Sequence, residues 1–192
     1  YPALNDEFAK KFQLENLDQV KEVIKKGFTL KTQEKSLLST ADKIYEDLAQ
    51  KSEFSISNSI VLEQSQADLS QKINQMMMQG KSIDAYLKEK NLDQQGFIEE
   101  AKQESFMNIK KYLIMDRIAN EEKIEVAEQE IYDKIKEIKE SEVANKDQVE
   151  EHYKKNQKAK DALKERIKAV KVAQWVVDNV KITGTEKKKL GE

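Results

Sequence analysis

The 192-residue sequence is defined first by what it lacks. It has no cysteine, which excludes disulfides and thiolate metal sites and fits a reducing cytoplasm. It has one proline, Pro2, and five glycines, so little interrupts a helix once started. It has one histidine, His152, too few for a histidine-based metal centre. Basic and acidic residues nearly balance, 34 against 36, so there is no positive footprint for nucleic acid. No apolar run approaches the roughly 20 residues that span a bilayer, and no membrane contact is expected. No signal peptide is read, and because residue 1 is Tyr1 rather than Met the sequence is read as an excised or processed piece.

What is present is charge and helical spacing. Charged residues make up 36% of the chain and the mean hydropathy is −0.81. The compromise between polarity and a buried core is an all-α, elongated multi-helix domain whose helices each bury one stripe. Asn16 is placed to cap a long spine helix carrying Leu17, Val20, Ile24, Leu37, Leu38, Ala41, Ile44, Tyr45 and Leu48, with Gly27 and Thr32 as expected bend points. Ser57 or Asn58 starts a second helix bearing Ile60, Val61, Leu69, Ile73, Met76 and Met77, and Gly80 ends it. Ser82 starts a short helix that Asn91 breaks, and a long helix follows from about Asp93 to Glu122. Three more helices are read around Ile131, around Val149 (capped by Asp147) and from Leu163 to Val180, before a frayed tail at 183–192.

Catalytic chemistry has no visible carrier. His152 stands alone and reads as a helix-surface residue. No Gly-x-Ser-x-Gly turn supports a nucleophilic serine, and the glycines are scattered singly rather than gathered in a phosphate-binding loop. The acid pairs Glu99-Glu100 and Glu121-Glu122 point apart on a helix and read as solvated charges. The chain is therefore expected not to be an enzyme, with no catalytic residue, cofactor or metal. Its one conspicuous apolar feature is Met76-Met77-Met78, because three consecutive residues span most of a helix circumference and one core face cannot bury them all.

Several segments, in order, carry a resemblance. They are Leu4-Asn5-Asp6-Glu7-Phe8-Ala9-Lys10-Lys11-Phe12, Phe54-Ser55-Ile56-Ser57-Asn58-Ser59-Ile60-Val61 and Tyr112-Leu113-Ile114-Met115-Asp116-Arg117-Ile118-Ala119. Asp147-Gln148-Val149-Glu150-Glu151-His152-Tyr153-Lys154 and Val172-Ala173-Gln174-Trp175-Val176-Val177-Asp178-Asn179-Val180 follow. Together they resemble the C-terminal, substrate-binding domain of the bacterial chaperone trigger factor. The chain departs from the family at Ser57, near which a proline is usual, and at Ala127, near which a Thr or Ser cap is usual.

The resemblance implies a body at about 1–56, a first protruding arm at about 57–122 and a second at about 123–182. It implies ATP-independent binding of unfolded or nascent polypeptides by apolar patches in a cleft between the arms. Residue-by-residue matching places Ile138, Val149, His152 and Tyr153 near the second arm's binding surface. The apolar stripe of the second helix adds Leu69, Ile73, Met76 and Met77. The family's ribosome-docking and prolyl isomerase domains would lie upstream, so ribosome contact is expected only through that missing part. A homodimer is a further expectation. Two other readings stay open: a related helical chaperone domain from the periplasm or cell surface, and a dimerisation or partner-binding scaffold.

Overall fold

A computed structural model describes residues 5–12, 14–141 and 146–181. Among them the chain is all-α, with eight helices and no strand. The helices are α1 (Asp6–Lys10), α2 (Leu17–Lys51), α3 (Asn58–Met78), α4 (Ile83–Lys90), α5 (Gln94–Glu121), α6 (Glu128–Ser141), α7 (Lys146–Lys155) and α8 (Gln157–Asn179). The expected tail at 183–192 lies outside the described residues.

The helix ends follow from local chemistry. The Gln19 amide donates to Asn16 Oδ1 at 2.9 Å, as expected of the α2 cap, and the Leu17 amide donates to Asp6 Oδ1 at 2.9 Å. Ser82 caps α4 through the Ala85 amide, and Asp93 caps α5 through the Gly96 amide. Ser57 holds the cap position of α3 but makes no capping bond; its hydroxyl pairs with Ser59 at 2.7 Å. Where the family usually has Ser or Thr, the Ala127 amide donates instead to Glu130, the returning half of a capping box. Asp147, the expected cap of α7, lies within that helix's first turn. Asn156, which the sequence reading did not single out, caps α8 through the Ala159 amide.

α3 stops as expected at Gly80. Its φ is +71°, its amide reaches the Met77 carbonyl and the Lys81 amide reaches Met76, which satisfies carbonyls the helix would otherwise leave open. Asn91 ends α4 in the left-handed region at φ 53°. α2, in contrast, continues as helix through Gly27 and Thr32. Gly27 is buried, and a Cβ there would stand 3.3 Å from both Cβ and the carbonyl oxygen of Ser141. Its role is therefore to let the end of α6 approach the backbone of α2, not to bend the helix.

The chain divides into two compact units, one formed by Tyr1–Ala41 with Ile118–Glu192 and the other by Asp42–Arg117. In the second, Tyr45, Ala49, Met76, Leu87, Phe97 and Ala101 are buried. α3 is tied to α5 by the fully buried Ser105 hydroxyl, which donates to Asp68 at 2.7 Å, and by Lys72 with Glu104 at 3.1 Å. The Tyr86 and Phe97 rings lie 5.4 Å apart under the Lys72 ammonium.

In the first unit, α6 and α8 bury Ile131, Ile135 and Leu163, with Val126, Ile138, Val149, Tyr153 and Ile167 packed against them. The spacing Ile131, Ile135, Ile138 is one helical face. Each of the fully buried side chains contributes on the order of 1.5–3 kcal/mol. Ile24 is a correction to the sequence reading. It is 55% exposed, and so is its neighbour one turn on, Phe28, at 68%; Val20 and Gly27 hold the buried face in their place. Leu48 is likewise exposed while Ala49 is buried.

Candidate functional site

Helices α6, α7 and α8 enclose a groove of about 640 Å³. α6 supplies Tyr132, Ile135, Lys136, Lys139 and Glu140, a spacing that puts all five on one side of the helix. α7 supplies Glu150, Tyr153 and Lys154 at the same spacing, and Gln157 and Lys160 complete the wall from the start of α8. The floor is apolar: Ile135 is buried, Tyr153 is half-buried, and Tyr132 is 56% exposed. The rim is charged. Lysines suit such a place because their aliphatic stems cover apolar surface while the ammonium stays in water.

Two ion-pair systems order the rim. Glu150 accepts from Lys154 at 2.6 Å and from Lys139 at 3.1 Å. The Lys154 bond above all, with Lys139 behind it, holds the Glu150 carboxyl at a pKa of about 2, so it is ionised at neutral pH. Lys160 donates to Glu128 at 2.7 Å, which raises its pKa, and its ammonium lies 5.5 Å from the centre of the Tyr132 ring. Elsewhere in this unit, Glu34 of α2 binds Arg166 of α8 at 2.7 Å and Lys134 of α6 at 3.3 Å, locking three helices together.

The residues singled out in the sequence fall in different settings. Tyr153 lines the groove. Ile138 and Val149 pack half-buried against the Ile131–Ile135–Leu163 cluster next to it. His152 is exposed and stands edge-on to Tyr153, ring centres 5.3 Å apart. Leu69, Ile73, Met76 and Met77 all belong to α3 in the other unit. There Leu69 and Ile73 are half-buried, Met76 is 7% exposed, and Met77 and Met78 are 67% and 90% exposed. The helix circumference explains this split, since successive residues point about 100° apart.

The rim lysines escaped the sequence reading. Their signal is the spacing 132, 135, 136, 139, but lysine is so common in this chain that the spacing does not stand out. Among the described residues no three His, Cys, Asp or Glu are grouped to hold a metal ion. No described helix is long and apolar enough to cross a membrane. What the groove can do chemically is bind, through an apolar floor and a charged rim.

The sequence family of the bacterial trigger factor C-terminus matches residues 16–178. The chain belongs to that family. Among its trigger factor relatives, that of Geotalea daltonii is 26% identical over 190 residues, covering 98% of this chain and 43% of the relative. That of Geobacter sp. strain M21 is 30% identical over 190 residues, covering 97% and 42%. That of Anoxybacillus flavithermus is 26% identical over 183 residues, covering 94% and 42%. The chain thus spans less than half the length of these trigger factors.

Proposed function

We propose that this chain is a chaperone domain that binds unfolded or nascent polypeptides without ATP, through apolar patches on two helical arms, and so limits aggregation and assists folding. The observation that carries this reading is the groove of α6, α7 and α8, floored by Tyr132, Ile135 and Tyr153, in a member of the trigger factor C-terminal family. The exposed Met77 and Met78 at the end of α3 support it, because methionine adapts its shape to varied partners. Under this reading the body lies at about 1–56, the first arm at about 57–122 and the second at about 123–182. The domain works in the cytoplasm, performs no catalysis itself and reaches the ribosome only through other parts of the full protein. Individual contacts are weak, and affinity accumulates when one client engages several patches.

The test is an NMR titration of the isotope-labelled chain with one polypeptide held unfolded and with the same polypeptide folded. Shifts at Tyr132, Tyr153 and Met77 are expected with the unfolded form alone, and Tyr132→Ser with Met77→Ser should weaken them. Equal responses to both forms would instead mark a scaffold for a folded partner, and no response to either would refute the chaperone reading.

A further inference from the structure

The last turn of α3 puts neighbouring thioethers in opposite settings. Met76 is 7% exposed, whereas Met77 is 67% and Met78 90% exposed. The other two methionines of the chain, Met107 and Met115, are half-buried in α5. Because the chain has no cysteine, the thioether is its only oxidisable sulfur. We infer that Met77 and Met78 form a reversible oxidation site, at which a peroxide turns the apolar end of α3 polar while the domain stays folded.

The chemistry needs only a peroxide and, for reversal, a dithiol. A sulfur lone pair attacks one peroxide oxygen, and the O–O bond breaks as the S–O bond forms. The departing hydroxide takes the proton of the transferred oxygen and leaves as water. Sulfur gives up two electrons and the peroxide gains them. In reversal the sulfoxide oxygen leaves as water while two thiols become one disulfide. The structure decides where this change is tolerated. A sulfoxide oxygen is a hydrogen-bond acceptor and must face water or a donor. At Met77 and Met78 it stands in solvent. At Met76 it would enter the buried face of a unit that also buries Leu87 and Phe97. The helix end does not depend on the exposed side chains, because the amides of Gln79, Gly80 and Lys81 close onto the carbonyls of Gln75, Met76 and Met77. Gln75 to Met78 carry no charge, so the added oxygen changes the polarity of the patch without changing its charge. The consequence for binding rests on the polypeptide-binding reading, in which Met77 and Met78 offer an apolar contact.

The experiment treats the whole chain with hydrogen peroxide, follows each methionine by peptide mass spectrometry and follows the helices by circular dichroism. With the peroxide removed, binding is measured to a polypeptide held unfolded by alkylation of its cysteines. Met77 and Met78 should gain oxygen about tenfold faster than Met76, in proportion to their exposure, with the helical signal unchanged. Binding should weaken about fourfold, the worth of one buried methylene, and methionine sulfoxide reductase with dithiothreitol should restore it. Met77→Leu with Met78→Leu should bind as the untreated chain does and ignore peroxide, and Met77→Gln with Met78→Gln should bind as the oxidised chain does. Oxidation of Met76, Met107 or Met115 as fast as Met77 and Met78, or unfolding when only those two are oxidised, overturns the inference. Undiminished binding by a chain oxidised at both also overturns it and leaves polypeptide binding intact. An untreated chain that binds no unfolded polypeptide overturns the polypeptide-binding reading instead, and the mass spectra still decide the oxidation site.

Discussion

Glu34 is the side chain whose replacement should cost the first unit most per atom changed. Its side chain is 12% exposed, and it accepts from Arg166 at 2.7 Å and Lys134 at 3.3 Å. Burial alone would raise its pKa; Arg166 and then Lys134 outweigh burial and hold the carboxyl below its usual value. Glu34→Gln keeps the shape, removes the charge and turns an amide N–H₂ toward one of the two cations. An exposed pair is worth up to about 1 kcal/mol, and breaking a buried one costs about 3–5 kcal/mol. The Arg166 and Lys134 side chains keep 59% and 26% of their exposure, so water recovers part of the loss. The expected cost is about 2 kcal/mol at pH 7, or a fall of about 4–8 °C in Tm. Urea unfolding followed by circular dichroism measures it. The pH dependence adds a second check. A lowered carboxyl pKa gives stability that is complete above the unfolded value of about 4.3 and lost as pH falls through the folded value. The gap between wild type and Glu34→Gln must therefore narrow below that point, where both side chains are neutral. A difference under about 0.5 kcal/mol at pH 7, or one that persists undiminished at low pH, would refute the reasoning.

Two further substitutions test the second unit. Gly80→Ala adds a Cβ that meets nothing within 4 Å, so its cost is purely that of the left-handed backbone, about 1 kcal/mol by urea unfolding, and no loss would show that the turn relaxes freely. The Tyr45 hydroxyl is buried with no hydrogen-bond partner among the described residues, and burial, followed by the neighbouring Asp42 charge, pushes its pKa up to about 12. Tyr45→Phe should therefore be neutral or stabilising by up to about 1 kcal/mol in the same assay, whereas a clear destabilisation would mean the hydroxyl has a partner in solution.

Helix content, order and most boundaries were legible in the sequence because their causes are local. Asn16, Ser82 and Asp93 each cap with an oxygen carried by the residue itself, and Gly80 and Asn91 end their helices by tolerating the left-handed region. The outcome at Met76, Met77 and Met78 is equally local, since geometry forbids one face from burying three consecutive side chains. The candidate site was legible only at Tyr153 and at its neighbours Ile138 and Val149, reached through the resemblance rather than through spacing.

Tertiary structure alone decided the rest, because it depends on which helix arrives opposite which. Gly27 reads as a bend in isolation and becomes a close-approach point once Ser141 packs on it. Ile24 has the right period for a core residue, yet it is 55% exposed. Glu34 looks like any surface acid until Lys134 and Arg166, 100 and 132 residues away in sequence, converge on it. The groove arises the same way: its lysines are unremarkable in a chain so rich in charge, and only the packing of α6, α7 and α8 gathers them around an apolar floor. Sequence sets the periodicity and caps of each helix by itself, because these are short-range backbone effects. Partner choice is set by long-range packing, where many faces of similar hydrophobicity compete and shape decides among them.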